Sequence, residues 1–272
     1  MNKLPERFYH FRDNTVNEAR KVKGHLPVRD MRFLCLLGMV PTTTGEILEI
    51  GSFRGKSTIA LAKSIEFLNN DQKLYAVDPM ILSSVTDPTY KSSLPLYEEF
   101  MKNLQEHNVD SIVEFHKMKS EELGKSWNRR LRLLWIDGDH TYLEVKRDFE
   151  TFLPFLNPGA IVAFHDVLNS FDGPVRVMAE QVLLSDQFGS FGFCGSIGWS
   201  QYLGNSQETQ VYWKEKLKYY KKLHRLVPYV VMNRKIDGLD RYIYKLNRAL
   251  IPHEEVEPTK WLNEVKIYDK SS

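Results

Sequence analysis

The chain has 272 residues, 42% hydrophobic and 26% charged, with a formal net charge of +2. That is the composition of an ordinary globular protein, long enough for one α/β domain with extensions and a sizeable core. Only two cysteines, Cys35 and Cys194, are present, so no disulfide framework is implied. The longest apolar run, 33–40, is too short to span a bilayer, and the sequence contains neither an internal repeat nor a low-complexity tract. With no apolar signal core in MNKLPERFYHFRDN, the expected location is cytoplasmic, with both thiols reduced.

Residues 1–45 are expected to form helices ahead of the first strand, with 30–39 the clearest apolar patch. Phe8, Tyr9 and Phe11 suit either a lid over a ligand or simple packing, and packing is the commoner role for aromatics.

The segment 46–62, EILEIGSFRGKSTIALA, carries the most information. Ile47, Leu48 and Ile50 read as a buried strand, Gly51 to Gly55 as a turn, and Ser57 or Thr58 as the start of a helix. A strand that passes through a glycine turn into a helix N-terminus lets backbone amides face a nucleotide-like ligand. Three ligands compete. A phosphate loop needs four residues between its glycines, and only three separate Gly51 from Gly55. A dinucleotide fingerprint needs glycine where Ser52 and Phe53 stand. The third reading turns on Glu49, whose carboxylate would repel a pyrophosphate but suits the ammonium of an amino-acid-bearing ligand such as S-adenosylmethionine (SAM). ILEIGSFRGKST resembles motif I of the class I SAM-dependent methyltransferases.

Next, 73–77 reads as a second strand ending in Asp78-Pro79. An acid there accepts hydrogen bonds from both hydroxyls of a ribose, although an Asp before proline also serves as a plain cap or turn residue. Residues 80–100 read as a long loop with prolines at 88 and 95. A helix over 96–106 and a third strand over 112–116 follow, then Ser120 and Glu121. The run 131–136, LRLLWI, is almost continuously apolar, as a central parallel strand should be, and leads into Asp137-Gly138-Asp139-His140. A helix from Tyr142 to about Phe155 should end at Asn157-Pro158-Gly159. A fifth strand over 160–164 then reaches His165-Asp166. Strand tips are where α/β sheets place ligands, so Asp137, His165 and Asp166 are expected to converge. Two carboxylates and an imidazole suit a divalent cation; each alone is also an ordinary cap or turn residue.

IDGDHTYLEVKRDFETFLPFLNPGAIVAFHD, residues 136–166, resembles the signature of a methyltransferase family that includes macrocin-type sugar O-methyltransferases and cephalosporin-hydroxylase-like proteins. These are similar to the catechol-type, metal-dependent O-methyltransferases, and the resemblance spans about residues 30–205. It implies a Rossmann-like α/β fold with a mostly parallel seven-stranded sheet. It also implies that Glu49, Gly51, Ser52, Gly55 and Ser57 line the methionine end of SAM, Asp78 the ribose and Ser120 the adenine. Asp137, His165 and Asp166 would take the metal places, with magnesium or manganese as the ion. His140 falls where the catechol type has its lysine base. Two departures stand out. His165 replaces a carboxylate, which tilts the site toward a transition ion or no metal, and Ala160 replaces a glycine.

Methyl transfer from a sulfonium is an in-line displacement, so the protein must align acceptor and methyl group. A divalent ion would lower the acceptor's pKa, with His140 or His165 taking the proton. Without metal, His140 oriented by Asp137 or Asp166 would act instead. The reading is therefore O-methylation of a sugar or other small hydroxylated acceptor. A catalytically silent SAM-fold scaffold and a phosphate-loop transferase stay open as alternatives.

Beyond the fifth strand, a helix over 173–184 and a β-hairpin over 189–203 are expected, with Gly192, Gly195 and Gly198 at turns and bulges. Residues 1–205 then form the SAM-binding domain and 206–272 a basic helical extension. Within 211–250 there are 11 Lys/Arg and 3 Asp/Glu, a net of +8. Trp213, Leu217, Tyr220 and Val227 are expected to form its docked stripe. The basic face is either plain solvated surface or a draw for an anionic acceptor, such as a nucleotide-sugar or phosphorylated glycan, or for an acidic membrane surface. No nucleic-acid module is present, and a homo-oligomer is compatible with the sequence.

Overall fold

The computed structural model describes residues 3–68, 72–81, 94–204, 207–231 and 235–268. Pro88 and most of the expected 80–100 loop lie outside these residues. Two helices lead, α1 (Phe8–Ala19) and α2 (Val28–Met39). Then come β1 (Glu46–Ile50), α3 (Lys56–Leu68), β2 (Leu74–Val77), α4 (Leu96–Glu106), β3 (Val113–His116), α5 (Ser120–Gly124), β4 (Leu131–Ile136) and α6 (Tyr142–Phe152). A 3-10 turn (Leu153–Phe155) and β5 (Leu156–Phe164) precede α7 (Asp172–Val177), which continues as a π turn through Met178–Leu183. The hairpin β6 (Phe188–Cys194) and β7 (Ile197–Tyr202) completes the sheet.

The strands form one sheet in the order β3-β2-β1-β4-β5-β7-β6. The first five run parallel, and β7 pairs antiparallel with β5 and β6. The strand order reverses between β1 and β4, so their C-terminal tips open the crevice where such sheets bind ligands. Successive side chains of a strand point to opposite faces. Ile47, Leu133, Trp135 and Ala163 therefore join the core beneath α1, α2 and α3. Leu48, Ile50, Leu134, Ile136, Val162 and Phe164 join the core beneath α6 and α7. Both faces are buried, which is why β4 is apolar but for Arg132, whose guanidinium donates to Gly38 O at 3.1 Å.

Four boundaries differ from the sequence reading. The helix after β1 opens at Lys56, ahead of Ser57. The helix after β4 stops at Phe152, and Asn157-Pro158-Gly159 lies inside β5 rather than ending a helix. The backbone there is drawn into the sheet because Leu156 pairs with Leu131, with a register break before Leu133, and Gly159 absorbs the irregularity at φ 93. The expected 173–184 helix begins at Asp172 and widens into its π turn. Gly195 makes the hairpin turn at φ 61, while Gly192 and Gly198 are paired strand residues.

Phe8 is buried, and Phe11 packs on Phe67. Tyr9 is exposed, with its hydroxyl donating to Glu257. Phe8 and Phe11 pack, while Tyr9 stays at the surface.

The C-terminal part is helical, with a 3-10 turn (Gln207–Tyr212), α8 (Trp213–His224), α9 (Val227–Val230), α10 (Gly238–Ala249) and α11 (Pro258–Glu264). Its docked stripe is not the expected one. Trp213 is exposed, while Lys216, Leu223, Leu226 and Val230 are buried. The stripe is rotated because Lys216 turns inward, its Nζ donating to the carbonyls of Ser185 and, at 2.9 Å, Phe188. Burial pushes that ammonium down to about 8. The extension also returns to the N-terminal side. Trp261 of α11 is fully buried against Phe33 and Trp199, and the Tyr268 amide donates to Thr42 O at 2.8 Å.

Candidate active site

A cavity of about 780 Å³ lies at the tips of β1, β2, β4 and β5, within the size range of small-molecule sites. One side is built from the glycine turn. Gly51 at φ 88 and Gly55 at φ 87 fold it, and Ser52, Phe53 and Ser57 face the cavity with them. Asp78 holds the turn from the tip of β2. Its Oδ2 accepts from the amides of Ser52 (2.9 Å) and Phe53 (3.0 Å), and its Oδ1 from Met80 N (2.6 Å). Asp78 thus orders the loop as well as lining the cavity.

Glu49 does not line the cavity. It shares a strand face with Ile47 and points under the turn toward α3. There its Oε2 accepts from the hydroxyls of Ser52 (3.0 Å) and Thr58 (2.5 Å). Burial pushes its carboxyl up to about 7, against the hydroxyls of Ser57, Thr58 and Ser52, which pull it down. The expected direct contact with a ligand ammonium is therefore corrected: Glu49 braces the loop from below. Lys56, the lysine that made the turn look like a phosphate loop, donates its Nζ to Gly24 O at 2.9 Å. It ties α3 to the link between α1 and α2, an arrangement unlike a phosphate cradle.

The opposite wall carries Asp137, His140, His165 and Asp166. His140 Nε2 lies 3.3 Å from Asp166 Oδ2 and 3.9 Å from Asp137 Oδ1, and its ring stacks on Phe171 at 4.2 Å. Burial alone would lower the His140 pKa, but the hydrogen bond and charge of Asp166 raise it above the ordinary range. Asp166 sits at φ 58, a conformation uncommon for a non-glycine residue, and the Asn169 side chain donates to its carboxylate.

His165 lies deep in this wall. It is 3% exposed, with Nδ1 3.1 Å from Asp137 Oδ1 and 3.3 Å from Asp166 Oδ1, and Nε2 3.5 Å from Asp30 Oδ2. Burial works against its charge, yet Asp137 and Asp166 raise its pKa well above the ordinary value. Its ring nitrogens face three carboxylates, which it braces from behind. His165 falls outside the closest group of possible ligand atoms. The donor atoms within 4.8 Å of one another come from Asp137, His140 and Asp166 instead.

Several participants escaped sequence reasoning. Gly24, His25 and Leu26 reach the cavity from the α1–α2 link, and Asn169 and Phe171 from the segment after β5. Asp30, buried on α2, accepts from Ser196 N (3.1 Å) and Oγ (2.6 Å) and so clamps the hairpin turn behind His165. Asp148 lies on the buried stripe of α6 with Val145, Phe149 and Phe152, and accepts from the Ser120 hydroxyl at the cavity wall. An acid in an apolar stripe was the readable signal for Asp30 and Asp148. Expected beside the adenine, Ser120 does line the cavity; Glu121 instead pairs with Arg147 at 3.1 Å.

Burial pushes the Asp148 carboxyl up from 3.8 to about 7, against the pull of Ser120. A raised acid keeps its proton longer in the folded state. Stability should therefore fall as pH rises from about 4 to about 7, and the full cost remains above that. Asp148→Asn should raise Tm above about pH 7 and leave it unchanged near pH 4. Equal Tm at high pH would show that Asp148 is not strained by its charge.

A family model described as a methyltransferase domain matches residues 48–167, just under half of the chain. Among curated proteins, the uncharacterized protein y4gI of Sinorhizobium fredii is 36% identical over 73 residues, 25% of this chain. An uncharacterized protein of Acanthamoeba polyphaga mimivirus is 22% identical over 141 residues, 51% of this chain. The alignments span only 8% and 59% of those two relatives' own lengths. Among solved structures, the O-methyltransferase NovP is 15% identical with a TM-score of 0.53, over 71% of this chain and 88% of its own. That likeness establishes the shared fold. Residues 48–167 thus match a methyltransferase-domain model, and the chain shares the Rossmann-like α/β fold of NovP.

Proposed function

We propose that the protein transfers a methyl group from SAM to a hydroxyl of a sugar or other small acceptor. The observation that carries this reading is the juxtaposition, in one cavity, of the Asp78-held glycine turn with the His140–Asp166 pair. SAM, when bound, supplies the methyl group as an electrophile on sulfur. The turn amides and Asp78 hold the nucleoside and methionine parts, and the opposite wall orients the acceptor. An alcohol needs its proton removed as the bond to carbon forms. His140, held beside Asp166, takes that proton. NovP is described as an O-methyltransferase, which accords with this reading.

A second reading is favoured by the donor cluster. Asp137, His140 and Asp166 fit a divalent cation, and the buried His140 Nε2 makes no hydrogen bond of good geometry. One imidazole and two carboxylates suit manganese or another transition ion better than magnesium. Such an ion would acidify the acceptor hydroxyl, and His140 would then be a ligand rather than the base.

Calorimetric titration with SAM and S-adenosylhomocysteine tests the first step. Both should bind the wild type. Asp78→Ala should weaken binding at least about tenfold, since it removes the ribose acceptor and frees the Ser52 and Phe53 amides. Unchanged affinity would overturn the role of Asp78, and no binding to the wild type would overturn the reading as a whole.

A further inference from the structure

Helix α10 carries its apolar residues on the wrong side for a docked helix. Tyr244 is its buried residue, 5% exposed, with its hydroxyl donating to Leu168 O (3.1 Å) and Asn169 O (2.7 Å). At about 100° per residue, Leu239, Tyr242, Leu246 and Leu250 fall on the face opposite Tyr244. They are 72%, 61%, 51% and 52% exposed. Lys245 and, farther round, Arg241 lie along one edge of this stripe, both exposed. Lys222 of α8 joins the two helices, its Nζ donating to Leu250 O at 2.6 Å. The outer face of α8 adds Lys214, Lys218, Lys221 and Arg225.

We infer that α10, with the basic face of α8, is a docking surface for an anionic lipid membrane. A solvent-facing apolar stripe edged by cations is the pattern of a helix that lies in a bilayer interface, leucines toward the acyl boundary and Lys/Arg at the phosphates. Charge complementarity selects this occupant. The 211–250 segment carries a net of +8, and an isologous contact with a second copy would set Arg241, Lys245 and the α8 lysines against themselves. The location is suggestive as well. Tyr244 grips the backbone of Asn169, whose side chain donates to Asp166, so the docked helix would hold the cavity wall next to the membrane surface. The inference concerns attachment and stands independently of methyl transfer. Among the described residues no helix is long and apolar enough to cross a membrane, so attachment would be to one leaflet.

Co-sedimentation of the full chain with phosphatidylcholine vesicles, with and without phosphatidylserine, tests it. The protein should sediment with the mixed vesicles, not with phosphatidylcholine alone, and should be released by salt. Leu246→Glu should weaken binding about tenfold or more. Arg241→Gln should weaken it about fivefold, as should Lys245→Gln. These positions are exposed, so Tm should stay at the wild-type value in each variant. Failure to sediment, equal binding to both vesicle types, or undiminished binding of Leu246→Glu would each overturn the inference. So would a concentration-dependent dimer abolished by Leu246→Glu in a protein that ignores vesicles, which would identify a second copy as the occupant.

Discussion

His140→Ala should bind SAM as the wild type does and lose turnover by about 10²–10⁴-fold, the usual contribution of a positioned proton acceptor. SAM binding should persist because the turn is held by Asp78 and braced by Glu49, neither of which touches His140. The fold should persist too, since the bond from Gly173 N to His140 O (2.9 Å) uses only backbone. Titrating manganese separates the two roles of the imidazole. If His140 is a ligand, excess manganese should restore part of the variant's turnover. If it is the base, no concentration should. A variant with full activity at all metal concentrations would place the proton acceptor elsewhere.

Gly51→Ala should have the larger structural effect. A Cβ at residue 51 would stand 2.3 Å from Asp137 O, 2.5 Å from its carbonyl carbon and 2.6 Å from Gly138 Cα. All three are backbone atoms, and they cannot yield, because Asp137 N bonds Ile50 O at 2.8 Å and fixes β4 beside β1. The φ of 88 adds strain of its own. Overpacking and left-handed strain together suggest a cost of about 2–5 kcal/mol. SAM binding should be lost with the turn. Gly138→Ala is the control. Its Cβ would meet Asp148 Oδ2 at 3.5 Å and Ile50 Cγ2 at 3.7 Å, ordinary contacts. A large drop in Tm for Gly51→Ala beside a small one for Gly138→Ala supports the close approach of the β1 and β4 tips. Equal effects would remove it.

The sequence by itself determined the parallel core and the position of the site along it. β1 and β4 were legible because strands buried on both faces are mostly apolar, and because a strand leading into a glycine turn has few alternatives. Asp78, Asp137, His140 and Asp166 were found by the same logic, each standing just past a strand. Tertiary structure decided which groups face the cavity and which lie beneath it. Glu49 is a one-dimensional neighbour of the cavity wall that strand alternation turns inward, and the arrival of Asp30 from α2 backs His165 from behind. No local pattern records that α2 approaches the tip of β5, because the contact joins residues far apart in sequence. The same holds for the extension. Apolar spacing along α8 pointed to Trp213 and Leu217, but two carbonyls of a distant segment draw in Lys216 and rotate the helix. A buried lysine is tolerated only where those acceptors wait, and their position follows from packing rather than from pattern.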